Sequence, residues 1–402
     1  MFACEASAPN LIETDESDQM EITYLFADPG ENKPAGNRDL SKPLILSPSE
    51  KHPFLTLKHY FNAIKEFLLQ DNGRHVLGAI HEITAADISL RDISRINICS
   101  EKLGAFYHIA SIECITGQHT VKLTVTAAVS DAGKTCLDQD FSVLKHLTTD
   151  NTSPYLPRQY THSTLTVHEG EESATILMTL SEWFEDFHEW HLTSETKNGE
   201  QQIVLWDMMR GNRLLTKNES TELFRQVAKI LTLSYDVTTS KHIAQWHHAA
   251  GDFIVRCSDN RTDVRLTTVR ECKPITEISL DTPVAQMAAL ISFFLDLTIR
   301  IRIDRLNGVG ETVWFDREFL KAAVTGFFEA LHIKQSETGN LPAAPEDFLT
   351  LLRSFGAEEL TALSQPLVDP DRLKSQDDLT MIVSKIDSHL NELHKILDIY
   401  GR

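Results

Sequence analysis

The chain is 402 residues long with a mass of 45.4 kDa, room for one large domain or two to three smaller ones. Its 38 Lys and Arg against 58 Asp and Glu leave a formal charge of −20, which excludes a general nucleic-acid binder because phosphate neutralisation needs clustered basic side chains. With 42% hydrophobic and 24% charged residues, the composition is that of an ordinary globular protein, neither fibrous nor broadly disordered.

Residues 1–50 carry ten acids against Lys33, Arg38 and Lys42, and prolines at 9, 29, 34, 43 and 48 break any periodic pattern. They read as an acidic, loosely ordered tail whose one apolar patch, Ile22 to Phe26, either stays in solvent or adds a strand to the body. Residues 51–95 read as a helical extension. Leu55, Leu57, Tyr60, Ile64, Phe67 and Leu68 share a helical face over His52 to Leu69, Asp71-Asn72-Gly73 stops it, and Ala85 to Ser94 suits a second short helix.

From residue 96 the texture turns β-rich. Alternating runs at Ile96–Ile98, Tyr107–Ile115 and Thr120–Val129 predict two successive hairpins, followed by a helix over Thr135–His146 and two strands at Thr161–His168 and Thr175–Leu180. After Ser181 the chain reads as mainly helical, with Glu219–Tyr235, Val284–Leu306, Arg317–Leu331, Pro345–Phe355 and Leu379–Ile399 as helices. One ribbon, Phe253–Cys257 with Val264–Val269, interrupts them. No repeat of fixed period occurs.

The most apolar stretch, Val284 to Leu295, contains Gln286 and Ser292 and stops at Asp296, so it reads as a core helix rather than a membrane span. The first residues lack a basic segment followed by an apolar one, the pattern of a secretory leader. Six scattered cysteines without a CxxC pair suit a reducing compartment. These features point to a soluble, cytoplasmic protein with no membrane partner.

The order strand, strand, strand, helix, strand, strand, then helices around one ribbon, resembles the protein-kinase-like fold, in particular its aminoglycoside and choline phosphotransferase branch. The likeness runs from Ile96 to Leu331 and rests on element order and spacing more than on motifs. It implies an α+β, two-lobed chain: an antiparallel-sheet N-lobe over residues 96–182, a helical C-lobe over 183–335, and a helical extension over 336–402. It also implies ATP and Mg²⁺ as cofactors. The loop covering the phosphates would be Ser100 to Tyr107, whose sole glycine is Gly104. Lys122 would hold the phosphates, and Asp140, 18 residues on, would orient Lys122. Trp183, Phe184 and Phe187 follow the last strand, where aromatic rings would stack on a base or fill the core.

The catalytic loop of that family reads His-Gly-Asp with an Asn five residues after the Asp. Here the segment is His242 to Arg256 (HIAQWHHAAGDFIVR), which puts Asp252 at the metal-binding Asn and a histidine, His247, where the catalytic Asp belongs. His247 or His248 then becomes the candidate base, and Asp252 the candidate metal ligand. The second metal-binding Asp falls at Thr267 or Thr268, and Arg270 adds positive charge nearby. Losing carboxylates from a reaction built on metal-assisted charge stabilisation implies a degenerate, pseudokinase-like member that binds a nucleotide or serves as a scaffold. The alternative is an active, atypical phosphotransferase that moves the γ-phosphoryl group to a small-molecule or protein hydroxyl.

Two other patterns stand apart. His188-Glu189-Trp190-His191 is one residue short of HExxH, and on a helix its histidines would lie about 60° apart, suiting a His/Asp metallohydrolase. Leu379, Val383, Ile386, Leu390, Leu393 and Leu397 are spaced 4, 3, 4, 3, 4, a heptad stripe that fits a homodimer seam, a partner helix or the chain's own body.

Overall fold

The computed structural model describes residues 20–47, 50–104, 106–148, 153–197, 200–258, 261–369 and 375–401. The fold is mixed α+β, built on two large hydrophobic cores.

The first core belongs to residues 20–182. Its elements are β1 (Glu21–Phe26), β2 (Lys33–Pro34), α1 (Asn37–Leu40), β3 (Pro43–Ser47), β4 (Glu50–Thr56), α2 (Leu57–Thr84), β5 (Ile93–Leu103), β6 (His108–Thr116), β7 (Thr120–Ala128), α3 (Asp131–Thr148), β8 (Gln159–Glu169) and β9 (Glu172–Glu182). Seven strands make one sheet in the order β2-β1-β5-β6-β7-β9-β8. All its pairings are antiparallel except that of β1 with β5. Alternation decides the faces, because successive side chains of a strand point to opposite sides. Ile176, Met178 and Leu180 join Ile112, Leu123 and Val125 under α2, whereas Leu177 meets Leu137 of α3 on the other side.

Two expectations change here. The segment Ile22–Phe26 is a strand built into the sheet, not a free tail. Tyr24 stacks on Phe61 of α2 with ring centroids 4.9 Å apart, and Phe26 meets the same ring edge-on at 5.6 Å, so aromatic burial offsets the cost of ordering the arm. The helix that ends at Asp71-Asn72-Gly73 does break there, all three residues having φ between 52° and 77°. It resumes at once and runs to Thr84, whereas Ala85–Ser94 holds a short turn at Leu90–Asp92 and the first two residues of β5. Leu90 packs so closely on Gly73 that a β-carbon has no room, which seats the break against β5.

The second core takes in the rest: β10 (Glu189–Lys197), β11 (Glu200–Trp206), β12 (Arg213–Leu214), α4 (Lys217–Leu233), β13 (Lys241–Ile243), β14 (Phe253–Ser258), β15 (Arg261–Leu266), β16 (Cys272–Pro274), α5 (Pro283–Arg300), β17 (Ile303–Arg305), β18 (Thr312–Trp314), α6 (Arg317–Glu337), α7 (Pro345–Ser354), α8 (Ala357–Ser364) and α9 (Gln376–Ile399). Helix is the larger part, but the stretch after Ser181 opens with a hairpin, β10–β11, that the helical reading missed. α5 is long and apolar enough to cross a membrane by length and composition; its second half, including Phe293, Phe294 and Leu297, is buried against the core. It ends at Arg300 rather than Leu306, because Ile303–Arg305 leaves the helix to pair with β18. At the crossing of α4 and α6, the Arg225 carbonyl lies where a side chain on Gly326 would start.

The C-terminal half of the heptad stripe of α9 packs inside the chain. Leu390, Leu393 and Leu397 are fully buried against the core shared with α6, α7 and α8, while Val383 is 59% exposed. Polar ties reinforce the packing: Arg353 Nε donates to the Leu397 carbonyl at 2.8 Å and Arg302 pairs with Glu392 at 2.7 Å. This C-terminal half of the stripe, expected to form a dimer seam or take a partner helix, is an intramolecular surface, each buried leucine contributing about 1.5–3 kcal/mol where it lies, while Leu379, Val383 and Ile386 keep some exposure.

Candidate functional site

The residues singled out in the sequence come together around the segment that precedes the β14–β15 ribbon. Asp252 is its centre and is 1% exposed. Arg270 grips the carboxylate with both terminal nitrogens, each 2.5 Å from an oxygen. The Thr268 hydroxyl donates to Oδ1 at 2.8 Å and the His247 amide to Oδ2 at 2.9 Å. Each oxygen thus accepts two hydrogen bonds, which fills the four lone-pair sites of a carboxylate. Burial works against the charge of Arg270, but the Asp252 carboxylate more than restores it and its pKa is raised.

A Mg²⁺ ion asks for near-octahedral oxygen donors at about 2.0–2.1 Å. Here the Asp252 carboxylate is saturated by protein donors, and Thr268, the residue expected where a second carboxylate would stand, offers a neutral hydroxyl that already donates to it. This donor set does not fit the ion.

The two histidines are similarly committed. His248 is 1% exposed, its ring 4.7 Å from that of Trp190 and close to Phe224, Trp246 and Phe315. Its Nε2 donates to the Ile301 carbonyl at 3.2 Å, and burial pushes its pKa down to about 4. It is a neutral core imidazole, not a base. His247 accepts from the Ala249 amide at Nδ1, 3.1 Å away, which leaves the proton on Nε2, 3.6 Å from Asp378. Burial lowers its pKa as well. Neither nitrogen of His247 offers a free lone pair to an acceptor hydroxyl, and the Nδ1 of His248 has no partner but is buried.

Lys122 and Asp140 do not pair. Lys122 on β7 lies 3.5 Å from Glu185 and over the ring of Trp183, 4.6 Å from its centroid. Asp140 on α3 turns the other way and accepts the Val269 amide at 2.5 Å. Burial pushes its carboxyl up to about 7 against the pull of that amide and of Arg270. Gly104 closes its own hairpin: its amide donates to the Tyr107 carbonyl at 2.9 Å and so faces no anion.

Sequence reasoning passed over two tethers. Lys102, at the end of β5, pairs with Glu189 of β10 and joins the sheet to the second half. Burial opposes the charge of Glu189, yet His191 and Lys102 hold its pKa down to about 2. His191, also 1% exposed, sits 3.9 Å from both Glu189 and Asp304. His188 meets Asp207 at 3.6 Å. The metallohydrolase reading needed His188 and His191 on one helix face, but the segment is extended, and residues three apart on a strand point to opposite sides. Among the described residues, no three His, Cys, Asp or Glu side chains converge as a metal-holding group. The Asn-Gly pair at 198–199, flanked by alternating residues, was the signal for this hairpin.

No protein-family model matches the chain, and no curated protein matches it.

Proposed function

We propose that this chain is a two-lobed, kinase-like protein of the aminoglycoside and choline phosphotransferase type whose catalytic motifs have degenerated, and that it acts as a pseudokinase-like binding or scaffold protein. Supporting the fold half of this reading are the chain order of β5, β6, β7, α3, β8 and β9, the largely helical second half, and the separation into two cores. The observation that carries the functional half is the saturated carboxylate of Asp252. A guanidinium and a hydroxyl fill the positions that phosphoryl transfer reserves for a metal and its second carboxylate. The lysine expected to hold nucleotide phosphates, Lys122, faces Glu185, and Lys102 pairs with Glu189. Its five free cysteines among the described residues suit the cytoplasm, where thiols stay reduced.

Thermal unfolding with ATP or GTP, with Mg²⁺ or with EDTA, tests the reading. A ligand at 100 times its Kd adds about 2.7 kcal/mol of stability, so binding is visible as a shifted midpoint. The expected result is no Mg²⁺-dependent shift. A Mg²⁺-dependent shift that Lys122→Ala abolishes overturns the proposal in favour of an active phosphotransferase acting on a small-molecule hydroxyl.

A further inference from the structure

Behind the segment that links the two halves lies a cavity of about 380 Å³. Its floor is one face of the β14–β15 ribbon, which presents Arg256 and Arg265, and its walls include Trp183, Phe184 and Phe187. The guanidinium of Arg265 lies 4.9 Å from the Phe187 ring centroid and 5.6 Å from that of Phe184; Arg256 lies 4.7 Å from Phe187. Arg158 stands exposed at the rim.

The charges lining the cavity are unevenly satisfied. Arg256 pairs with Asp263 at 3.2 Å, Glu185 turns to Lys122, and Glu182 accepts the Arg158 amide at 3.2 Å. Arg265 makes one hydrogen bond, to the Val264 carbonyl at 2.9 Å. Among the described residues neither Arg265 nor Arg158 has an acid within ion-pair distance, and the Nε1 of Trp183 is buried without an acceptor. Burial pulls the pKa of Arg265 down, against the weaker opposing influence of Asp263 and Glu182. In a chain of charge −20, two half-buried arginines held against aromatic rings and two more donors without acceptors form a site shaped for an anion.

We infer that this cavity binds a phosphate ester carried on a flat ring, the phosphate received by Arg158 and Arg265 and the ring by Phe184 and Phe187. A volume of about 380 Å³ lies within the range of small-ligand pockets. Planar guanidinium forks match phosphate oxygens two at a time, and the same aromatic walls that now stack on the arginines accept a ring beside them. The ester described is an aryl phosphate, the chemistry that a phosphorylated tyrosine of a partner presents; a nucleoside monophosphate instead carries its phosphate on the ribose, away from the ring. The cavity shares Trp183 and Glu185 with the surroundings of Lys122 but none of the groups on Asp252, so the inference stands whatever the state of the Asp252 site.

The test is calorimetric titration of the full chain, without Mg²⁺ or ATP, with phenyl phosphate, inorganic phosphate and phenol in turn. Phenyl phosphate is expected to bind about tenfold or more tightly than either part, and Arg265→Gln and Arg158→Gln each to weaken it about tenfold. Arg158 is exposed, so its substitution leaves the fold intact and keeps the test valid if Arg265→Gln unfolds the ribbon. O-phosphotyrosine and AMP follow: O-phosphotyrosine is expected to bind the tighter, and tighter binding by AMP overturns the aryl-phosphate assignment. Equal affinity for phosphate and phenyl phosphate, indifference to Arg158→Gln, or no saturable binding by either ester overturns the inference.

Discussion

Replacing Arg270 with Met removes the guanidinium that neutralises Asp252 while keeping most of the buried stem. The carboxylate then remains 1% exposed with two donors, Thr268 and the His247 amide, where it had four. Breaking a buried ion pair from one side leaves an uncompensated charge and costs about 3–5 kcal/mol. If the second half unfolds as its own unit, that loss lowers its midpoint by about 10 °C. The double variant Arg270→Met with Asp252→Asn has no stranded charge and keeps an acceptor for Thr268, so it should recover at least about 2 kcal/mol of the single variant's loss. Differential scanning of wild type, both singles and the double gives the cycle directly. If the double is no more stable than Arg270→Met alone, or if the single costs under about 1 kcal/mol, the closed carboxylate that underlies the non-catalytic reading is wrong.

Three further outcomes follow from other contacts. Leu393→Ala and Leu397→Ala should each cost about 2–5 kcal/mol with no change of mass in sedimentation, whereas Val383→Asp, on the exposed flank of α9, should be neutral; a monomer–dimer shift would restore the seam reading. Burial raises Asp140 to about 7, above the ordinary ~3.9 of an unfolded chain, so the stability it contributes is complete below about pH 4 and is lost as pH rises through about 7. Asp140→Asn keeps an acceptor for the Val269 amide and removes the titration, so its midpoint should gain on the wild type between about pH 5 and about pH 8; a gap constant with pH counts against this origin. Gly326→Ala should cost about 1–3 kcal/mol or more by forcing α6 away from the Arg225 carbonyl, and a wild-type midpoint would show that the crossing gives way freely.

Elements whose signal is local were legible in the sequence. The β6–β7 hairpin follows from alternation over nine residues in each strand, β5 was legible only at Ile96–Ile98, and the helix break at Asp71-Asn72-Gly73 follows from residue types that tolerate positive φ. What escaped depends on distant partners. β1 is six residues long and becomes a strand because β5, some seventy residues on, offers an edge and α2 offers Phe61. β10 carries a run of polar residues, Thr193 to Lys197, that hides its alternation. At the site, Asp252, Thr268 and Arg270 were each visible as departures from a motif, yet nothing in their spacing told that the arginine would turn onto the aspartate. Adjacent histidines looked alike in sequence; one turn of backbone sends His248 under Trp190 and leaves His247 facing Asp378.

The parallel pairing of β1 with β5 also sets an order of events during synthesis. A strand made of residues 21–26 can pair early with the two-residue β2, but its long neighbour, residues 95–100, leaves the ribosome after α2 has been made. The sheet then grows by hairpins as the chain emerges, and by residue 182 all seven strands exist before any of α4 to α9 has been made. The arm is thus secured by β5 after α2, and β8 and β9 complete the far end of the sheet afterwards. A chain shortened past Phe26 would leave the backbone groups of β5 open to a neighbouring polysome product, and in that setting the arm acts as a guard against co-translational aggregation.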